Sequence, residues 1–164
     1  LKIWHAQNMI LETDSSKSNG DRAKFVNNYL LYLLAAASEK ASAQFHAEVR
    51  KAGLRVPEWR VAACLYDSDK MMITELAELS LMEQSRMTRI IAQMVKRGIV
   101  KRTSDGNDKR RVWVQLTPDG MALVQALVGD AKDHERALLS ELADTDAARI
   151  KIMLQTVLNR LEKT

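Results

Sequence analysis

Apolar residues recur at helical spacing through most of this chain, and in one stretch the spacing changes to the alternation of strands. Residues 24–51 contain neither proline nor glycine, are rich in Ala, Leu and Glu, and repeat apolar side chains every three or four positions, which predicts a helix. At 1.5 Å per residue, its about 28 residues span roughly 40 Å, too long for one small core. Leu30, Leu31, Leu33 and Leu34 make its first half apolar around much of the circumference, as in a helix covered by another chain as well as its own. Gly53 closes it. Pro57 at a first helical position opens a second helix over 58–66, with Trp59, Ala62, Ala63 and Tyr66 at core spacing. Thr74 is the expected N-cap of a third helix, 75–80, with Leu76, Ala77 and Leu79 inward, and a brief turn at Leu81 and Met82 leads to a fourth. There Met87, Ile90, Ile91, Met94 and Val95 form one apolar stripe, and Ser85, Arg86, Arg89, Gln93 and Lys96 occupy the opposite face.

After Gly98 the period becomes two. Residues 99–103 alternate apolar with polar, 104–108 are a turn cluster, and 112–116 form a second strand, so a hairpin follows the fourth helix with Lys109, Arg110 and Arg111 at its far end. Thr117, Pro118 and Asp119 are successive start signals for a helix reaching about 141, with Leu123, Leu127 and Leu138 inward and Gly129 a point of bending or close approach. Asp144 is the expected cap of a last helix, 144–163, striped by Ile150, Met153, Leu154, Val157, Leu158 and Leu161. Residues 1–20 form an N-terminal extension that reads either as a short helix carrying Trp4 to a partner subunit or as a disordered end.

Composition narrows this picture. A chain of 164 residues suits one compact subunit. No apolar run approaches the about 20 residues of a membrane-spanning helix. The first residues lack the order of a secretion signal, and the single cysteine, Cys64, allows no internal disulfide, so a soluble protein of the reducing cytoplasm is expected. The net charge of +4 is unevenly placed: Arg86, Arg89, Lys96, Arg97, Lys101, Arg102, Lys109, Arg110 and Arg111 are opposed only by Asp105 and Asp108. From residue 119 onward acids outnumber bases. A polyanion would therefore meet the fourth helix and the hairpin.

The order of particular residues sharpens the expectation. Ser85, Thr88-Arg89, Gly98-Ile99-Val100, Arg102, Asn107-Asp108-Lys109-Arg110 and Val114-Gln115-Leu116-Thr117 follow the signature of the MarR family (multiple antibiotic resistance regulators) nearly in register. The chain resembles that family from about residue 25 to its C-terminus, with Met94 where the family commonly has Leu. The resemblance implies a mainly α fold with a small β-wing: a winged helix-turn-helix DNA-binding lobe, 57–117, within a single subunit, 21–164, whose helices 24–51, 118–141 and 144–163 dimerise. It also implies a homodimer on a pseudo-palindromic operator of double-stranded DNA, most simply as a repressor. Arg110 would enter the minor groove, Asp108 would orient it, and Lys109 and Arg111 would lie nearer the phosphates.

The third and fourth helices read as the helix-turn-helix pair, with Ser85, Arg86, Thr88, Arg89, Gln93 and Lys96 toward DNA. The family also implies a small aromatic or phenolic effector, and Phe45, His46, Trp59 and Tyr66 are candidates to border its cleft, although each also reads as ordinary core. Cys64 is a candidate oxidant-sensing thiol or, with no adjacent cation, a buried structural cysteine. His5, His46 and His134 lack ligand partners at tight spacing apart from Glu48 and Glu135, so no metal or other cofactor is expected. No phosphate loop, activated nucleophile or carboxylate pair suggests an enzyme. A winged-helix module that binds protein instead of DNA is the rival from another class.

Overall fold

The computed structural model describes residues 25–104, 111–142 and 144–161, with Asp144 and Thr145 as backbone alone. The chain divides into two units, Leu1–Lys40 and Ala41–Thr164. In the first, residues 25–28 are helical and the helix restarts at Leu30. The expected continuous helix is interrupted at Tyr29, where the Tyr29 N–H reaches only three residues back, to the Val26 carbonyl at 3.3 Å. Phe25 and Tyr29 stack at 5.2 Å, and Phe25, Tyr29, Leu30, Leu31, Tyr32 and Leu33 are all exposed.

Helix α1, Leu30–Lys51, continues into the second unit, where Phe45 and Val49 are buried. Gly53 ends it at φ +81°, a left-handed conformation that suits glycine, and lets the Leu54 N–H bond the Val49 carbonyl at 3.0 Å. Helix α2, Val56–Tyr66, follows with proline in its first turn. A two-residue strand, β1, Met71–Met72, runs directly into α3, Ile73–Leu79. The N-cap is therefore Met72 and not Thr74, because strand pairing fixes where the extended chain must stop; the Glu75 carboxylate accepts the Met72 N–H at 2.9 Å.

Helix α4, Gln84–Lys96, buries Met87, Ile90, Ile91 and Met94. Val95 is exposed instead, since it lies at the edge of the stripe near the helix end. Strands β2, Val100–Ser104, and β3, Val112–Leu116, pair antiparallel from Val100 opposite Leu116 to Ser104 opposite Val112. β1 pairs with the other edge of β3, giving the order β1-β3-β2. Alternating burial holds for β3, but β2 is exposed from Lys101 to Ser104 because only its first residue reaches the core.

Thr117 joins sheet to helix. Its hydroxyl oxygen accepts the Gly120 N–H at 3.0 Å as N-cap of α5, Pro118–Ser140, and lies 2.6 Å from the Gly98 carbonyl. A Cβ on Gly120 would fall 2.0 Å from the Ile99 carbonyl oxygen, so only glycine lets α5 sit this close. Leu127 is buried and Leu123 packs partly, but Leu138 is exposed, as is Leu79 of α3; both lie beyond the reach of this chain's core. Gly129 passes within a continuous helix, with nothing near the Cβ it lacks. Helix α6, Asp144–Leu161, leaves its whole apolar stripe exposed. The capping role expected of Asp144 falls on a side chain outside the described residues, as do residues 1–20, with Trp4 and His5. Among the described residues, no helix is long and apolar enough to cross a membrane.

Candidate nucleic-acid interface

The turn between α3 and α4 aims the latter. Ser80 is buried, Leu81 takes φ +55°, and the Met82 N–H closes on the Ala77 carbonyl at 2.9 Å, a helix stop usually made with glycine. Helix α4 then starts at Gln84. Its inward face is fully committed to the core, so Ser85, Arg86, Thr88 and Arg89 stand exposed on its first half and Lys96 on its last turn. The Thr88 hydroxyl donates to the Gln84 carbonyl at 3.0 Å. Among the described residues no carboxylate pairs with Arg86, Arg89, Lys96, Lys101 or Arg102. The hairpin continues this charge through exposed Lys101, Arg102 and Arg111, and Lys70 lies 4.7 Å over the Trp113 ring at the sheet's other edge. Asp108, Lys109 and Arg110 lie outside the described residues.

Two members of the expected basic face have other engagements. Gln93 is half-buried, and its amide oxygen accepts a hydrogen bond from the Arg55 guanidinium. Because arginine only donates, the Gln93 amide must present its oxygen to Arg55 and keep its NH₂ for other acceptors. Arg97 is withdrawn from the basic surface by the buried Glu58: Nη1 donates to Glu58 Oε2 at 2.8 Å and Nη2 to the Gly53 carbonyl at 2.6 Å. Glu58 Oε1 accepts from Arg55 Nη2 at 2.8 Å, and Oε2 also accepts the Arg55 backbone N–H at 2.8 Å. Desolvation alone would raise this carboxyl's pKa, but the hydrogen bonds from Arg55 and Arg97 outweigh it, so the group sits below its usual range and remains ionised. The burial of Glu58 depends on Arg97, 39 residues away, and carries no local signal.

A second feature lies behind the reading helix. Phe45 packs edge-on to Trp59 at 5.3 Å and stacks on His134 at 5.9 Å, bordering a cleft of about 350 Å³ with His46, Arg60 and Glu135. Phe45, His46 and Trp59 are thus brought together along one cleft. Tyr66 is not: it borders a different hollow, of about 320 Å³, with Asp67, Asp69 and Met121, because it lies two turns further along α2. His134 and Glu135 carry no signal of this cleft in the sequence, since α5 meets α1 only in the tertiary fold, whereas Arg60 reaches it from the position after Trp59 on α2. His134 Nε2 lies 2.7 Å from the Ala41 carbonyl and must donate to it, so Nε2 carries the proton. Burial, then the charges of Arg60 and Arg50, lower the pKa of His46. Lys151 of α6 pairs with Glu135 at 2.7 Å. Arg60 also borders a third hollow, of about 300 Å³, shared with Leu81, Met82 and Arg86.

Cys64 is half-buried against the core, its sulfur 3.7 Å from the Ser80 hydroxyl. Among the described residues, no three His, Cys, Asp or Glu side chains gather as metal ligands.

A short helix, a tight turn, a helix with an exposed basic face and a β-hairpin immediately after it define a winged helix-turn-helix protein. The MarR family profile matches residues 54–112. A solved MarR family transcriptional regulator from Silicibacter pomeroyi DSS-3 is 65% identical, with a TM-score of 0.77 over 84% of this chain and 98% of that one. The chain belongs to the MarR family of transcriptional regulators. The organic hydroperoxide resistance transcriptional regulator of Bacillus subtilis is 24% identical over 140 residues, 84% of this chain and 92% of that protein. The homoprotocatechuate degradative operon repressor of Escherichia coli is 30% identical over 98 residues, 60% of this chain and 66% of that protein.

Proposed function

We propose that this chain is a sequence-specific, double-stranded-DNA-binding repressor that acts as a homodimer in the cytoplasm and is released by a small aromatic ligand. One observation carries the reading: Arg86 and Arg89 project from a helix whose opposite face is sunk in the core, and no described carboxylate neutralises them. Arg89 offers a planar pair of donors to a guanine edge in the major groove, with Ser85, Arg86 and Thr88 beside it. Lys96 adds positive charge, and Gln93 has its NH₂ to offer an acceptor. Arg110 enters the minor groove with Asp108 orienting it, and Lys109 and Arg111 meet phosphates. Residues 24–51, 118–141 and 144–163 form the dimer, so that two-fold symmetry matches a pseudo-palindrome.

Selection of duplexes from a random pool, followed by anisotropy titrations across salt, tests this. The expected outcome is a selected operator bound about 10³-fold or more tightly than random duplex, with a steep salt dependence. No duplex binding at low salt would leave a protein-interaction module.

The cleft favours a second element of the reading, the aromatic ligand. It has apolar walls in Phe45 and Trp59 and a cation in Arg60 suited to a carboxylate. A relative named for an operon that degrades homoprotocatechuate supports an aromatic acid. The relative named for organic hydroperoxide resistance supports oxidant sensing instead, for which Cys64 is the thiol available. An aromatic acid is expected to weaken operator binding, and Trp59→Ala to blunt that response in a folded dimer. A peroxide response abolished by Cys64→Ser, with no response to aromatic acids, would replace ligand release by thiol sensing.

A further inference from the structure

Glu58 is the one buried charged side chain among the described residues, and three segments converge on it. Its carboxylate accepts from Arg55, at the start of α2, and from Arg97, which caps the C-terminus of α4; Arg97 also holds the Gly53 carbonyl that ends α1. Arg55 reaches in turn to Gln93 on α4. The rest of the α4 attachment is apolar, through Met87, Ile90, Ile91 and Met94, and such contacts resist separation but are poorly directional about the helix axis. The ion pairs add the missing direction, because a carboxylate gripped by two guanidinium groups has little freedom in distance or angle.

We infer that Glu58 is a positioning residue for DNA reading: through Arg97 and Arg55 it sets the rotation and axial register of α4, and so where Arg86 and Arg89 meet base edges. The inference rests on the DNA-binding function proposed above. Base contacts need that placement, whereas phosphate contacts tolerate its loss, so the signature is in discrimination and not in affinity at large.

The test compares Glu58→Gln with the wild-type dimer on the selected operator and on a random duplex at one salt concentration. The amide keeps the side chain's volume but turns an NH₂ toward groups that only donate. The operator-to-random affinity ratio is expected to fall about tenfold or more while random-duplex binding stays within about twofold, and amides of residues 93–98 should exchange faster. A merely structural role would reduce the active fraction and weaken both duplexes together. Arg55→Met carries the test if Glu58→Gln does not fold, since Arg55 is largely exposed and its loss removes the Gln93 tie; a smaller fall in the same ratio is expected. An unchanged ratio in folded variants overturns the positioning role alone, and a wild-type protein that binds no duplex overturns the function on which it rests.

Discussion

Helices α4 and α6 carry the same kind of sequence, an apolar stripe backed by polar residues, yet meet opposite fates. The α4 stripe of Met87, Ile90, Ile91 and Met94 is 7% exposed at most, whereas along α6 Ile150, Met153, Leu154, Val157, Leu158 and Leu161 are exposed by 39–69%. Periodicity specifies that a stripe exists and not what covers it. The α4 stripe is covered by its own chain, and that anchorage lets its basic face be rigid. The α6 stripe is left uncovered by its own chain, and the dimer proposed above would cover it.

The contrast breaks most visibly under a buried charge. Met94→Asp places a carboxylate without a partner in the core and is expected to cost about 3 kcal/mol or more, enough to remove most of the folded population in a thermal melt. Leu158→Asp should leave the subunit's helical circular dichroism intact but shift sedimentation at micromolar concentration from dimer to monomer. If both variants merely lose stability and remain dimeric, the two stripes do not differ as described.

Smaller effects separate α4 from the hairpin beside it. Arg89→Ala is expected to cost about 1 to 3 kcal/mol on the operator and flatten base preference, whereas Lys109→Ala should weaken all duplexes and reduce the salt slope by about 1. Equal losses on cognate and random DNA for both would erase that division.

Acid should act at two points in sequence. The pKa of His46 is lowered on folding, so the native state resists protonating it and stability declines as pH falls below 6.5, the ordinary histidine value, toward the lowered one; His46→Gln should remove that slope. The Glu58 pKa is also lowered, so its contribution is complete above the ordinary carboxylate range and is lost as pH falls through the depressed value. Glu58→Gln should remove this second step and leave the first, as urea titrations at stepped pH would reveal.

The smallest expected change is a gain. Leu81 holds a left-handed conformation while 83% exposed, so Leu81→Gly should relieve strain worth about 1 kcal/mol and raise the denaturation midpoint without altering the core. A loss of stability would mean that the leucine makes a contact that offsets its backbone cost.

Much of this architecture was legible without coordinates. Residues at three-and-four spacing marked the helices, Thr117-Pro118 marked the start of α5, and the change to alternation after Gly98 marked the hairpin, because backbone hydrogen bonding and side-chain direction are local properties. The exposed arginines of α4 followed from the same periodicity. The tertiary structure alone decided which partners each face met. It paired Met71 and Met72 with β3, moving the start of α3; it buried Glu58 beneath Arg55 and Arg97, drawing one cation away from the basic surface; it placed His134 beside Phe45 and sent Tyr66 elsewhere; and it left Leu79 and Leu138 outside the core. Each of these turns on residues far apart in sequence or on where the core ends, and no local pattern records the distance between two surfaces that meet only when the chain folds.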